Sequence, residues 1–85
     1  MIKRTLYFGN PAYLSLKLEQ LVVRMPDSQD NMETVRTIPI EDIGILILDH
    51  KQITITQGLI EKLLDCNCAL ITCSSNHLPV GLMLP

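Results

Sequence analysis

Eighty-five residues suffice for one small domain and not for two, and 47% hydrophobic against 19% charged residues places the chain among globular proteins. A formal net charge of −2 excludes a uniformly basic nucleic-acid binder, and no apolar run approaches the roughly 18 residues of a membrane span. Three cysteines cannot all pair within one chain and Gly9-Asn10-Pro11 breaks any leader-like apolar core, so a reducing cytoplasm is expected and disulfides are not.

The segment IKRTLYF, stopped by Gly9-Asn10-Pro11, predicts a first strand over residues 2–8. In YLSLKLEQLVVR, Leu14, Leu16 and Leu18 alternate with Ser15, Lys17 and Glu19, the period-two signature of a half-buried strand. Residues 20–25 continue or follow that strand after a bend near Glu19-Gln20. Pro26 ends the run, DSQDNME (27–33) is polar, and an extended pattern resumes over 35–38. A hairpin with a long, mobile tip is the natural reading, and Pro39, lacking a ladder donor, belongs at a strand end or edge. GILIL (44–48) is a short continuous apolar run, as in strands buried on both faces, and ITIT (53–56) alternates again.

The period then changes. Leu59, Ile60, Leu63 and Leu64 make one helical stripe, with Thr56 as N-cap and Asn67 as a left-handed terminator. ALITC (69–73) reads as a second buried strand and LPVGLML (78–84) as a further extended segment. The fold expected is mainly β (α+β): a small strand-rich, sandwich-like domain with a hairpin and one covering helix near residues 56–66. A chain this small buries only about 60–65% of its unfolded surface. Its many Leu, Ile and Val beside one Phe, two Tyr and no Trp suit a domain that covers part of that surface with a partner.

Charge is uneven along the chain. Residues 1–26 carry Lys3, Arg4, Lys17 and Arg24 against Glu19 alone, whereas 27–50 carry Asp27, Asp30, Glu33, Glu41, Asp42 and Asp49 against Arg36 alone. Such a basic first third can form a phosphate-facing patch or simply solvate strand faces.

The stretch CNCALITCSSNH (66–77) has the spacing C-x-C-x4-C-x3-H, which echoes a zinc knuckle. Structural zinc sites want a first cysteine pair two to four residues apart on a turn. Here Cys66 closes a helix, Cys68 opens a strand, and Cys73 lies five residues of ~3.3 Å further on. Packing of Cys68 and Cys73 against apolar neighbours is the better reading, with a zinc-binding β-domain as the competitor. His50 and His77 fall in polar loops, and neither can be given a catalytic partner from the sequence.

Taken in order, TLYFGNPAYLSLKLEQLVV, the polar hairpin and IPIEDIGILILDHKQITITQGLIEKLLDCNCALITCSSNHLPVGLMLP resemble the N-terminal domain of the CRISPR-associated integrase. That family is the adaptation endonuclease that inserts new spacers into CRISPR arrays, here of the kind found with RNA-guided effector nucleases. The resemblance covers essentially all 85 residues. It implies that residues 1–85 are the N-terminal β-rich domain of a longer two-domain protein. A helical catalytic domain would follow Pro85, carrying a Glu, a His and an Asp that bind Mg2+ or Mn2+, so no catalytic or metal-binding residue is assigned to this chain. It also implies a homodimer, a dimer of the small companion protein of CRISPR adaptation, and double-stranded DNA with splayed ends, with no membrane partner. Lys3, Arg4, Lys17 and Arg24 are the candidate DNA contacts. The competing class is a stand-alone β-rich protein-interaction module.

Overall fold

The computed structural model describes residues 3–26 and 33–85. In chain order its strands are β1 (Arg4–Phe8), β2 (Ala12–Lys17), β3 (Gln20–Pro26), β4 (Glu33–Pro39), β5 (Ile43–Leu48), β6 (Ile53–Ile55), β7 (Ala69–Cys73) and β8 (Pro79–Met83). One α-helix, α1 (Gln57–Asp65), and a single 3-10 turn at Ile40–Asp42 complete the described residues. Two four-stranded sheets result, ordered β1-β5-β7-β8 and β4-β3-β2-β6, which is the mainly β, α+β domain expected.

Alternation along β2 and β3 builds the second sheet. Leu14 pairs with Val23 and Leu16 with Leu21 on the core side, while Tyr13 with Arg24 and Lys17 with Gln20 face outward. The connecting turn is Leu18-Glu19, where φ is positive at both residues, 51° and 61°. Two-residue hairpin loops demand this because only primed turns match the right-handed strand twist. Leucine and glutamate are poor occupants, at a cost of about 1–2 kcal/mol each relative to glycine. β4 pairs antiparallel with β3, so the expected hairpin forms; its tip, residues 27–32, lies outside the described residues.

The first sheet has a parallel block. β1, β5 and β7 run parallel, with a register shift between Arg4 and Thr5, and β8 closes the edge antiparallel to β7 with a shift between Thr72 and Cys73. Leu6, Leu46, Leu70 and Met83 align across the four strands on one face, and Tyr7, Ile47, Ile71 and Leu82 align on the other. The first row is buried in its three parallel members and meets the core, whereas Tyr7 and Leu82 are exposed. GILIL and ALITC are therefore covered on one face, not both: Ile45 is exposed and Ile47 and Ile71 are half-buried. Continuous apolarity fits the inner positions of both strands in the sheet, but among the described residues no helix covers their second face.

Helix α1 supplies the third wall. Leu59 and Leu63 point into the core with Leu14, Leu21, Ile40, Ile43 and Leu46, all fully buried. Both expected caps form. Leu59 N–H donates to Thr56 Oγ1 at 3.3 Å, and Asn67 takes φ 63° at the far end. There Cys68 N–H reaches the Leu63 carbonyl at 2.9 Å and Asn67 N–H the Leu64 carbonyl at 3.1 Å, the paired bonds of a Schellman motif.

Candidate functional site

The carboxyl ends of β1, β5 and β7 lie side by side, and the chain places a polar side chain at each. Tyr7 sits near the end of β1, Asp49 directly follows β5, and Cys73 ends β7 before the turn 74–77. That turn is a three-residue hairpin loop: His77 N–H donates to the Ser74 carbonyl at 2.9 Å, and Ser74 N–H to the Leu78 carbonyl at 2.7 Å. His77 occupies the left-handed position of the loop, φ 64°, which favours glycine and among other residues admits Asn, Asp and His.

This conformation brings His77 back to Asp49. Its Nδ1 lies 3.0 Å from both Asp49 carboxylate oxygens, and the Tyr7 hydroxyl donates to Asp49 Oδ2 at 2.5 Å. Asp49 N–H also donates to the Phe8 carbonyl at 2.8 Å, fixing the carboxylate against β1. Gly9 makes room for the phenol: a Cβ there would lie 2.8 Å from Tyr7 Cε1. Asp49 is 5% exposed and is the one buried charged residue among those described.

The electrostatics follow from that geometry. The Tyr7 hydrogen bond, assisted by His77 and opposed by burial, holds the Asp49 carboxyl below the usual carboxylate range. The same bond pushes the Tyr7 phenol up. Burial, then the Asp49 charge, pushes the Cys73 thiol up, so it is not poised as a thiolate nucleophile. A cavity of about 270 Å3 opens beside this cluster, lined by Asp49, His50, Lys51, Cys73, Ser74, Ser75 and His77. The arrangement can present an oriented imidazole at the surface, backed by a carboxylate and flanked by a lysine and two hydroxyls.

The expectations for the cysteines of residues 66–77 divide. Cys68 is buried in the core as expected, but Cys73 is half-buried and lines the cavity beside Asp49, because the outer face of the first sheet is open. Cys66 is half-buried at the helix end, and among the described residues no group of three or more His, Cys, Asp or Glu is arranged around a common metal position. His77 does have a carboxylate partner, which sequence could not assign because Asp49 is 28 residues away. His50 accepts the Gln52 N–H on Nδ1 at 3.0 Å within its own turn. The signal for the cluster was faint: a lone acid ending an apolar strand.

The four candidate DNA contacts fall on two surfaces. Lys17 and Arg24 share the outer face of the β2–β3 hairpin with Tyr13, and Arg24 pairs with Glu33 at 3.0 Å. Arg4 begins β1 on the other sheet. Lys3 donates to the Cys66 carbonyl at 3.1 Å, a cation at a helix C-terminus.

No protein-family model matches the chain. The fold is shared with a part of the Cas1 and casposase proteins. It aligns with a Cas1 protein from Thermotoga maritima (TM-score 0.76, 13% identity, 96% of this chain and 24% of that one). It aligns similarly with a Cas1 in complex with DNA (TM-score 0.74, 16% identity, 96% and 28%) and a casposase bound to its integration product (0.72, 19%, 100% and 24%). In sequence it is 35% identical, over all 85 residues, to the CRISPR-associated endonuclease Cas1 of Neisseria meningitidis serogroup C (strain 8013). The chain spans 26% of that relative's length. Sequence and fold thus agree with the resemblance drawn from the residues: the chain is consistent with the N-terminal domain of the Cas1 family.

Proposed function

We propose that this chain is the scaffold and self-association domain of a metal-dependent DNA integrase that inserts spacers during CRISPR adaptation. The observation that carries it is the 35% identity to a Cas1 endonuclease over the whole chain. Relatives of the same fold are described in complexes with DNA and with Cas2, which supports DNA and a small companion protein as partners. In the whole protein a DNA 3′-hydroxyl would replace one strand oxygen of a phosphodiester of the repeat, the new P–O bond forming as the old one breaks and the displaced strand leaves as a hydroxyl; a Mg2+ or Mn2+ would supply charge stabilisation for that exchange. The ligands of that ion belong to a helical domain following Pro85. This chain contributes dimer contacts and phosphate contacts, for which Lys17 and Arg24 are the better placed of the four cations because they share one sheet face.

Self-association is supported by the uncovered row Tyr7, Ile47, Ile71 and Leu82, extended along the edge strand by exposed Leu78, Val80 and Leu84. The purified 85-residue chain should leave duplex DNA intact in Mg2+ or Mn2+, while the longer reading frame cleaves and joins it. EDTA-sensitive cleavage by the short chain alone would refute the proposal. A reading frame that stops at Pro85 would favour the interaction-module alternative.

A further inference from the structure

We propose that His77, as its imidazolium and with Lys51 beside it, grips a phosphate of the DNA backbone at the carboxyl ends of β1, β5 and β7; this rests on the DNA-handling reading above. The three parallel strands end side by side, so the residues that follow β5 and β7, Asp49 and Ser74 onward, meet at one edge of the sheet. The cavity of about 270 Å3 lies at that edge of this sheet. At its rim the hairpin loop places a histidine at a torsion, φ 64°, that glycine would occupy at less cost, so the side chain and not the backbone explains the residue.

The chemistry of the ring narrows the ligand. Nδ1 is committed to Asp49, 3.0 Å away, which leaves Nε2 for a second partner. A neutral ring with its proton on Nδ1 offers only a lone pair at Nε2; the imidazolium offers an N–H. That donor, the Lys51 ammonium and the Ser74 and Ser75 hydroxyls together suit an anion with several acceptor oxygens. Asp49 opposes an anion there, since its charge reaches Cys73 on the cavity wall, but the His77 imidazolium and Lys51 offset it. Asp49 is 5% exposed, it is the single acid lining the cavity among the described residues, and Tyr7 and His77 both engage its carboxylate. The other titratable groups about the site are Tyr7 on β1, Cys73 on β7, and His50 and Lys51 after β5, none of them an anion at neutral pH.

Binding of a labelled blunt DNA duplex to the full chain, followed by fluorescence anisotropy, tests this. Affinity should rise as pH falls, because Nε2 donates only when the ring carries a second proton. His77→Asn keeps the left-handed torsion and removes the cation, so it should flatten that pH profile and weaken binding roughly threefold to tenfold. The slope of log affinity against log salt should shrink by about 1. Lys51→Gln should cut the slope by a similar amount without touching the pH profile. A purely structural role for His77 would lower the thermal midpoint and leave the salt slope unchanged, which overturns the proposal while the DNA reading stands. Failure of the wild-type chain to bind duplex overturns both. If inorganic phosphate perturbs the His77 ring NMR signals and duplex does not, the site takes a free anion and the proposal is again overturned.

Discussion

Asp49 owes its state to two neighbours that reach it from distant parts of the chain. The Tyr7 hydroxyl is the larger influence and His77 the smaller, and both favour the carboxylate. A carboxyl whose folded-state pKa is lowered contributes stability that is fully present above the ordinary aspartate value near ~3.9. That contribution is lost as pH falls through the lower, folded-state value. The Tyr7 phenol is shifted the opposite way, so its share is present below the ordinary tyrosine value near ~10 and is lost as pH rises through the raised one. The cluster is therefore whole across the neutral range and fails at both extremes. Tyr7→Phe removes the chief cause of the depression. In NMR titration of the Asp49 side-chain carboxyl it should move the midpoint upward, toward the ordinary value, and an unchanged midpoint would show that the phenol is a bystander. Cys73 gives an independent reading of the same charge. Asp49→Asn removes the anion that helps keep its thiol protonated, so alkylation of Cys73 by iodoacetamide at mildly alkaline pH should accelerate, with Cys68 in the core as the unreactive internal reference.

Among elements, α1 and the β2–β3 hairpin show opposite relations between sequence and backbone. Both ends of the helix use residues suited to their torsions, and those ends were legible: a threonine before the apolar stripe and an asparagine after it. Thr56→Ala deletes the side-chain acceptor for Leu59 N–H and should cost about 1 kcal/mol in urea unfolding. The hairpin turn uses residues ill suited to theirs, which is why the sequence showed only a bend near Glu19-Gln20 and not a two-residue turn. Leu18 is 85% exposed at φ 51°, so it gains almost nothing from packing there. Glu19 is better tied, its carboxylate accepting from Lys62 Nζ at 3.1 Å and its carbonyl from Ile40 N–H at 3.3 Å. Leu18→Asn relieves the torsion without disturbing those bonds and should stabilise the domain by up to about 1 kcal/mol. A destabilised variant would mean that Leu18 has packing partners in solution.

For the whole molecule, periodicity revealed which residues alternate but not which strands meet. Local pattern carries no information about a partner 40 residues away, so the parallel block of β1, β5 and β7 was not foreseen, and with it went the Tyr7–Asp49–His77 cluster. The same gap made GILIL and ALITC look buried on both faces. The error is instructive, because a strand apolar on both faces in a sheet covered on one has a surface composed for contact. In the first sheet that surface runs unbroken from Ile47 through Ile71 to Leu82, and it ends on β8, whose outer edge pairs with no strand among the described residues. If a second copy of the chain covers it, one charge at its centre should separate the copies. Leu82→Glu adds a carboxylate at a residue 59% exposed in the single chain, where a surface change alters folding by no more than about 0.5 kcal/mol. In the dimer the same carboxylate would be desolvated without a partner, so self-association should weaken at least about tenfold, or about 1.4 kcal/mol. Sedimentation equilibrium of both proteins, with thermal unfolding of the variant as a control, measures the two quantities separately. A variant that unfolds at the wild-type midpoint but sediments as monomer where the wild type is dimeric locates the interface on this face. Equal association of the two proteins would move the interface elsewhere and leave the open apolar row to another partner.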